Sequence, residues 1–302
     1  MTNPTRQFLN PALLARLRAL PLHARTAMIG SVSGKHRSPV KGSSLEFAQY
    51  RKYVPGDDTR RLDWRTWGRT DRFYIKEFEA DTNLRLNLIL DASGSMNFGP
   101  PGHTRLDYAR QLAGSLAWLA ARQGDAVGLW TVHPDTTHEI PCKRGPTHLG
   151  LVLDRIGETQ ASGETRLIPA LHEAAEKVRQ RSLTVILSDL FIPPAELKPA
   201  LQHLRFRNHD TVILHLLDQA ELDFNIDRPA RFVDMEGTEH VLADPSLVTR
   251  QYREAIAQYL SELDTIVRDT GIDYHRIKLH ENPEEVLARF LLNRTPKRGA
   301  RS

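Results

Sequence analysis

Leu86-Asn87-Leu88-Ile89-Leu90-Asp91-Ala92-Ser93-Gly94-Ser95-Met96 is the stretch that decides the architecture. A short apolar run leads straight into a carboxylate and then two hydroxyls, with a glycine between the hydroxyls. Such a run reads as a buried strand leaving a sheet. In open parallel sheets ligands bind beyond the carboxyl ends of the strands. Asp91, Ser93 and Ser95 therefore stand where hard oxygen ligands can act, and Gly94 lets the backbone turn without a Cβ clash.

Downstream the pattern is regular. Residues 104–122 place Leu106, Ala109, Leu112, Ala113, Leu116, Leu119 and Ala120 on one helical face. Asp125 to Val132 is an apolar strand, and Thr137 to Pro141 pairs beside it. Helices follow over 147–156 and 165–181, a buried strand over Leu183 to Leu187, a helix over 195–205 and another buried strand over Thr211 to Leu217. Apolar strands alternating with amphipathic helices imply βαβ units around a mostly parallel sheet, an α/β fold. Arg231 to Val241 reads as a hairpin turning at Glu236-Gly237, residues 245–270 as a long helix, Tyr274 to Leu279 as a strand and Glu284 to Leu292 as a closing helix.

Upstream, residues 10–29 read as a helix capped by Asn10 with Pro11 in its first turn. Residues 30–44, rich in Gly, Ser, Lys and Arg, form a loop. Residues 45–70 interleave aromatics and charges, and neither helical nor strand periodicity dominates there; Phe73 to Phe78 reads as a strand. The chain thus divides into a basic N-terminal helix and lead-in (1–80) that packs on the main domain, the main domain itself (81–294), and a disordered basic tail (295–302).

Charge follows this division. Residues 1–76 hold 15 Lys/Arg against 5 Asp/Glu, and the remainder hold 26 against 32, for a net +4 overall. A basic flank beside an acidic body fits self-docking or an anionic partner. The single cysteine, Cys142, excludes an internal disulfide and reads as a small apolar filler. No apolar run approaches the roughly 20 residues needed to span a bilayer, and Met1 to Asn10 lacks a signal-peptide core. The expectation is a soluble, cytoplasmic protein.

Mg²⁺ takes about six oxygens and usually keeps several waters. Asp91, Ser93 and Ser95 can start such a shell but not complete it. Thr165, in Gly163-Glu164-Thr165, offers a hydroxyl at a helix start, and Asp189 follows the strand ending at Leu187-Ser188. Thr165 also suits a helix N-cap, and Asp189 a cap or salt-bridge partner. Asp91, Ser93 and Ser95, then Thr165, then Asp189 resemble the metal-ion-dependent adhesion site of von Willebrand factor A domains, over roughly residues 80–220. That resemblance implies a von Willebrand A-like fold. It also implies direct ligation by Ser93, Ser95 and Thr165, water-mediated roles for Asp91 and Asp189, and an open position for a partner's carboxylate. The ion would be Mg²⁺, or Mn²⁺ or Ca²⁺. Glu164 stands where such sites often have glycine, and its carboxylate could strengthen the ion's hold or compete with an acidic ligand.

The run Tyr50-Arg51-Lys52-Tyr53-Val54-Pro55-Gly56-Asp57-Asp58, with Arg61-Leu62-Asp63-Trp64, Arg69 and Ile75-Lys76-Glu77-Phe78-Glu79, resembles the domain of unknown function 58 family. This extends the likeness to about residues 30–290. It implies a protein-binding adaptor or co-chaperone working with a MoxR-type AAA+ ATPase.

Other readings stand beside it. A Mg²⁺- or Mn²⁺-dependent hydrolase of phosphoryl or ester bonds needs a base near the metal, and Glu164 or His103 would supply it. Nucleic-acid binding would use the basic flank, although its cations are mixed with acids. Asp91-Ala92-Ser93 lacks the second aspartate of aspartyl-phosphate phosphatases, Gly-x-Ser-x-Gly is absent, and no phosphate-binding Gly-x-x-x-x-Gly-Lys-Ser/Thr loop occurs, so the chain is not expected to be an enzyme. His133 and His138 lack zinc-hydrolase spacing. Asp57, Asp58 and Asp63 beside Arg60, Arg61 and Arg65 read as a local ion-pair network, and Trp64 and Trp67 as anchors of the lead-in.

Overall fold

The computed structural model describes residues 6–24, 46–53, 63–70, 73–79, 84–224, 230–233, 235–236, 240–243 and 245–295. The chain forms two compact units, a smaller one of residues 26–84 and a larger one of residues 1–25 with 85–302.

The larger unit is built on a mostly parallel six-stranded sheet flanked by helices, the α/β arrangement that the alternating pattern implied. Its strands are β3 (Arg85–Asp91), β4 (Ala126–Val132), β5 (Thr137–Lys143), β6 (Leu183–Ser188), β7 (Asp210–Leu217) and β10 (Asp273–Lys278), in the order β10-β7-β6-β3-β4-β5. All pair in parallel except β5, which runs antiparallel to β4 at the edge. β3, β4 and β6 read as nearly unbroken apolar runs because both faces of the sheet are covered. Leu86, Leu88, Ile89 and Leu90 are fully buried; each such side chain contributes roughly 1.5–3 kcal/mol of burial.

One face carries α5 (Leu167–Lys177), α6 (Pro194–Phe206) and α8 (Pro245–Thr270), whose Leu171, Leu201 and Leu263 pack with Ile89, Ile186 and Ile213. The other carries α3 (Arg105–Gln123), with α4 (Pro146–Glu158), α9 (Pro283–Arg294) and α1 (Pro11–Leu17) beside it. α3 opens with a reciprocal capping box between Thr104 and Asp107 and closes on left-handed Gly124. A short α7 (Gln219–Asp223) and a two-stranded hairpin, β8 (Ala230–Val233) with β9 (His240–Ala243), lie between β7 and α8.

Helix boundaries need correction. The first helix, expected over 10–29, is Pro11–Leu17, and it packs on α3 and α9 of the larger unit instead of standing with the lead-in. α5 begins at Leu167 with Arg166 in the N-cap position, while the hydroxyl that accepts its first N–H is that of Thr165. Cys142 stays a neutral thiol packed at the sheet edge, as a small filler does. Its thiol donates to Leu86 O at 3.3 Å and Asn87 Oδ1 at 3.0 Å, and burial pushes its pKa up to about 12.

In the smaller unit, the stretch without clear periodicity contains β1 (Glu46–Lys52) and α2 (Trp64–Thr70). β1 pairs antiparallel with β2 (Tyr74–Glu79), with an irregularity between Phe47 and Gln49. Asp63 caps α2, accepting from the Thr66 N–H at 3.2 Å and its hydroxyl at 3.0 Å. Trp67 stacks on Phe73 at 5.8 Å, and Trp64 meets Trp67 edge-on at 6.1 Å. The loop at 30–44, Asp57 and Asp58 with Arg60 and Arg61, the Arg65 side chain and most of the tail from 295 lie outside the described residues.

Candidate metal and carboxylate site

The sheet reverses direction of growth at β3. From there the chain builds outward through β4 and β5, then returns to β6 on β3's other side. A reversal of this kind opens a crevice at the carboxyl ends of the strands. Leu90 pairs with Leu187, which sets Asp91 beside Ser188. The Ser188 hydroxyl donates to Asp91 Oδ2 at 2.6 Å, and Asp91 Oδ1 accepts the Ser93 N–H at 3.0 Å. Asp91 is buried, and its carboxyl is pushed up to about 6 by that burial and by the nearby charge of Asp189.

Residues Gly94–Asn97 form a single 3-10 turn that presents both serines. Ser93 Oγ and Ser95 Oγ lie 3.2 Å apart and are buried. The loop before α5 hangs on this turn by two backbone bonds, Ser162 N–H to Ala92 O at 3.0 Å and Gly94 N–H to Gly163 O at 2.7 Å. Thr165 is thereby held near the serines, and its Oγ1 accepts the Leu167 N–H at 3.3 Å. Asp189 is brought in by Arg105, the first residue of α3. Arg105 Nη1 donates to Asp189 Oδ2 at 2.7 Å and to Ser95 O at 3.0 Å, and Nη2 pairs with Glu221 of α7. Leu190, just beyond Asp189, adopts a left-handed φ of 52°, an unfavourable conformation for leucine. The structure thus gathers Asp91, Ser93, Ser95, Thr165 and Asp189 around one crevice.

Two residues of the site went unread in the sequence. Arg105 is one. The other is Glu236, at the tip of the β8–β9 hairpin. Glu236 Oε2 accepts the Thr165 N–H at 3.2 Å. Burial raises its pKa, and hydrogen bonds to Ser95, Thr165 and Ser93 oppose that rise. Glu164, the acid that the sequence brought forward, is exposed, as is His103. The hairpin turn was legible near Glu236-Gly237; its insertion into this crevice was not.

The donors fit a hard dication. Adjacent oxygens of an octahedral shell at about 2.0–2.1 Å from the ion are about 3 Å apart, close to the Ser93–Ser95 separation of 3.2 Å. Two buried carboxylates, Asp91 and Asp189, also lie close enough for the charge of Asp189 to raise the pKa of Asp91, an arrangement that a divalent cation relieves. Among the described residues no cluster of three or more His, Cys, Asp or Glu is placed to hold a metal. A zinc-type centre finds no support there, whereas a hydroxyl-based site needs no such cluster. His133 and His138 lie edge to face at 5.9 Å.

A family model described as "Protein of unknown function DUF58" matches residues 49–263. This chain belongs to the DUF58 family. It is 26% identical to uncharacterized proteins of Mycobacterium tuberculosis and Mycobacterium bovis over 296 residues, covering 96% of this chain and 92% of each relative. Among solved structures, this DUF58 chain is similar to BatB of Bacteroides thetaiotaomicron (11% identity, TM-score 0.46, 71% of this chain and 100% of that one). It is also similar to the SpRpn10 VWA domain (13% identity, TM-score 0.41, 73% of this chain and 100% of that one). No helix among the described residues is long and apolar enough to cross a membrane.

Proposed function

We propose that the chain is a non-enzymatic protein-binding module whose grip depends on a divalent cation, Mg²⁺ with Mn²⁺ or Ca²⁺ as substitutes. Ser93, Ser95 and Thr165 would hold the ion directly, with Asp91 and Asp189 acting through water. When bound, the ion supplies a Lewis-acidic position that attracts an acidic side chain. The protein's own groups do the rest. Ser188 orients Asp91, Arg105 orients Asp189, and the Gly94–Gly163 backbone bond keeps the two loops in register.

The observation that carries this reading is the seat itself. A carboxylate, that of Glu236, already rests on the Thr165 amide beside the two serine hydroxyls. The crevice therefore accommodates the kind of group an acidic partner would offer. Both bases weighed for a hydrolase, His103 and Glu164, are exposed. The partner we put forward is a MoxR-type AAA+ ATPase, on the strength of the family resemblance.

The test is calorimetric titration of the full chain with Mn²⁺, alongside the double variant Ser93→Ala/Ser95→Ala, followed by capture of the ATPase with and without EDTA. The proposal requires that the double variant stay folded, bind Mn²⁺ far more weakly, and lose the ATPase as EDTA-treated wild type does. Undiminished Mn²⁺ binding by the double variant would overturn it.

A further inference from the structure

The proposed site is open to a partner only if nothing in the chain already fills it. Glu236 fills it. The hairpin tip is seated by the Glu236 carboxylate and by the Met235 carbonyl, which meet different parts of the crevice. The Glu236 carboxylate accepts the Thr165 N–H at 3.2 Å. One residue earlier, the Met235 carbonyl presses on Gly94, where a Cβ in place of the glycine hydrogen would lie 1.9 Å from the Met235 oxygen. Gly94 is thus required for more than its own turn: a side chain there would collide with the hairpin. The backbone of Met235 and the side chain of Glu236 together match the crevice.

The hairpin is suited to leave as well as to sit. Its strands are four residues each and form a two-stranded sheet of their own. Isolated two-stranded hairpins are marginal in water, so contacts such as those at its tip contribute to holding this one in place.

We propose, building on the metal-site reading above, that the β8–β9 tip is a built-in ligand of the site: Glu236 holds the carboxylate position, and an acidic partner binds by displacing it. The partner class follows from the same geometry. It is a protein segment that presents a glutamate on an exposed turn, with the preceding backbone carbonyl free to approach Gly94. Binding is then a competition between an intramolecular acid, favoured by its high effective concentration, and an external one.

The test uses the full chain throughout, comparing wild type, Glu236→Gln and Gly94→Ala. Hydrogen exchange over residues 230–243 is followed with and without Mn²⁺. The probe for the external acid is N-acetyl-glutamate N-methylamide, titrated into Mn²⁺-loaded protein. In wild type, Mn²⁺ slows exchange in the hairpin by about tenfold. In Glu236→Gln that protection is lost while Mn²⁺ still binds, and the probe binds about tenfold more tightly than to wild type. Gly94→Ala, which keeps the glutamate but blocks the carbonyl, speeds hairpin exchange even though Glu236 is intact. If Mn²⁺ binds wild type and Glu236→Gln while hairpin exchange and probe affinity are the same in both, the built-in ligand is refuted and the metal site stands. If neither protein binds Mn²⁺, the metal site and the built-in ligand fall together.

Discussion

The two ends of the central sheet each bury an arginine among carboxylates, with different results. At the amino ends of β7 and β10, Arg294 pairs with Asp210 and, at 2.6 Å, with Asp273, while its Nε donates to His23 O at 2.9 Å. Every nitrogen of that guanidinium is engaged. At the carboxyl ends of β3 and β6, Arg105 binds Asp189 and Glu221. Asp91, beside it, is met by the Ser188 hydroxyl and the Ser93 amide, and among the described residues by no cationic side chain. One end is a closed clamp. The other keeps one buried carboxylate, Asp91, with no cationic side chain on it among the described residues, an arrangement that suits a site for a dication.

The largest expected effect tests the clamp. Arg294→Met leaves Asp210 and Asp273 buried without their guanidinium, and such losses cost about 3–5 kcal/mol. Thermal or urea unfolding should show it; a variant as stable as wild type would mean the clamp is not structural. Next comes the crevice. Mn²⁺ at about 100 times its dissociation constant should stabilise wild type by about 2.7 kcal/mol. Asp91→Asn should show less than about a third of that gain, whereas Arg294→Met should retain all of it. Equal gains for wild type and Asp91→Asn would remove the distinction between the two ends.

A smaller effect comes from acid. His209, just before β7, is buried with its Nδ1 3.0 Å from the Ser182 hydroxyl. Burial and then the charge of Arg207 lower its pKa to about 4. The unfolded chain, with histidine near 6.5, binds this proton more readily than the folded one. Stability should therefore be intact above about pH 6.5, fall as the pH drops toward 4, and level off below. After allowance for solvent screening the loss is roughly 1–2 kcal/mol, and His209→Gln should flatten that limb. An unchanged pH profile in the variant would assign the acid limb to other groups. The smallest effect is a control: Arg6→Ala breaks the partly exposed pair with Asp154, 2.6 Å in length, and should cost less than about 1 kcal/mol. A larger cost would show that burial is not what separates the clamp from surface pairs.

What could be read in the sequence depended on how local the cause was. β3, β4, β6 and β7 announced themselves because a strand covered on both faces is apolar throughout. The serines of the Asp91 turn followed from their position after such a strand. Thr165 and Asp189 needed the resemblance to place them, since sequence spacing alone left both as possible caps. β1 and α2 escaped because one short strand and one seven-residue helix carry too little periodicity. Arg105 was hidden in a helix start where a basic residue signals nothing. Glu236 lies more than 140 residues from Asp91 in the chain, and only the three-dimensional course between α7 and α8 delivers it to the crevice.

The edge strand β5 has one further consequence. Its pairing with β4 slips between Val127 and Leu129, opposite a stretch containing Pro141, which has no amide proton to offer. His138, Glu139 and Lys143 are exposed along the same strand. A proline, a kink and charges together discourage a neighbouring chain from continuing the ladder. This margin of the sheet is thus poorly suited to fibre-like stacking, and recognition by strand addition there would be hindered.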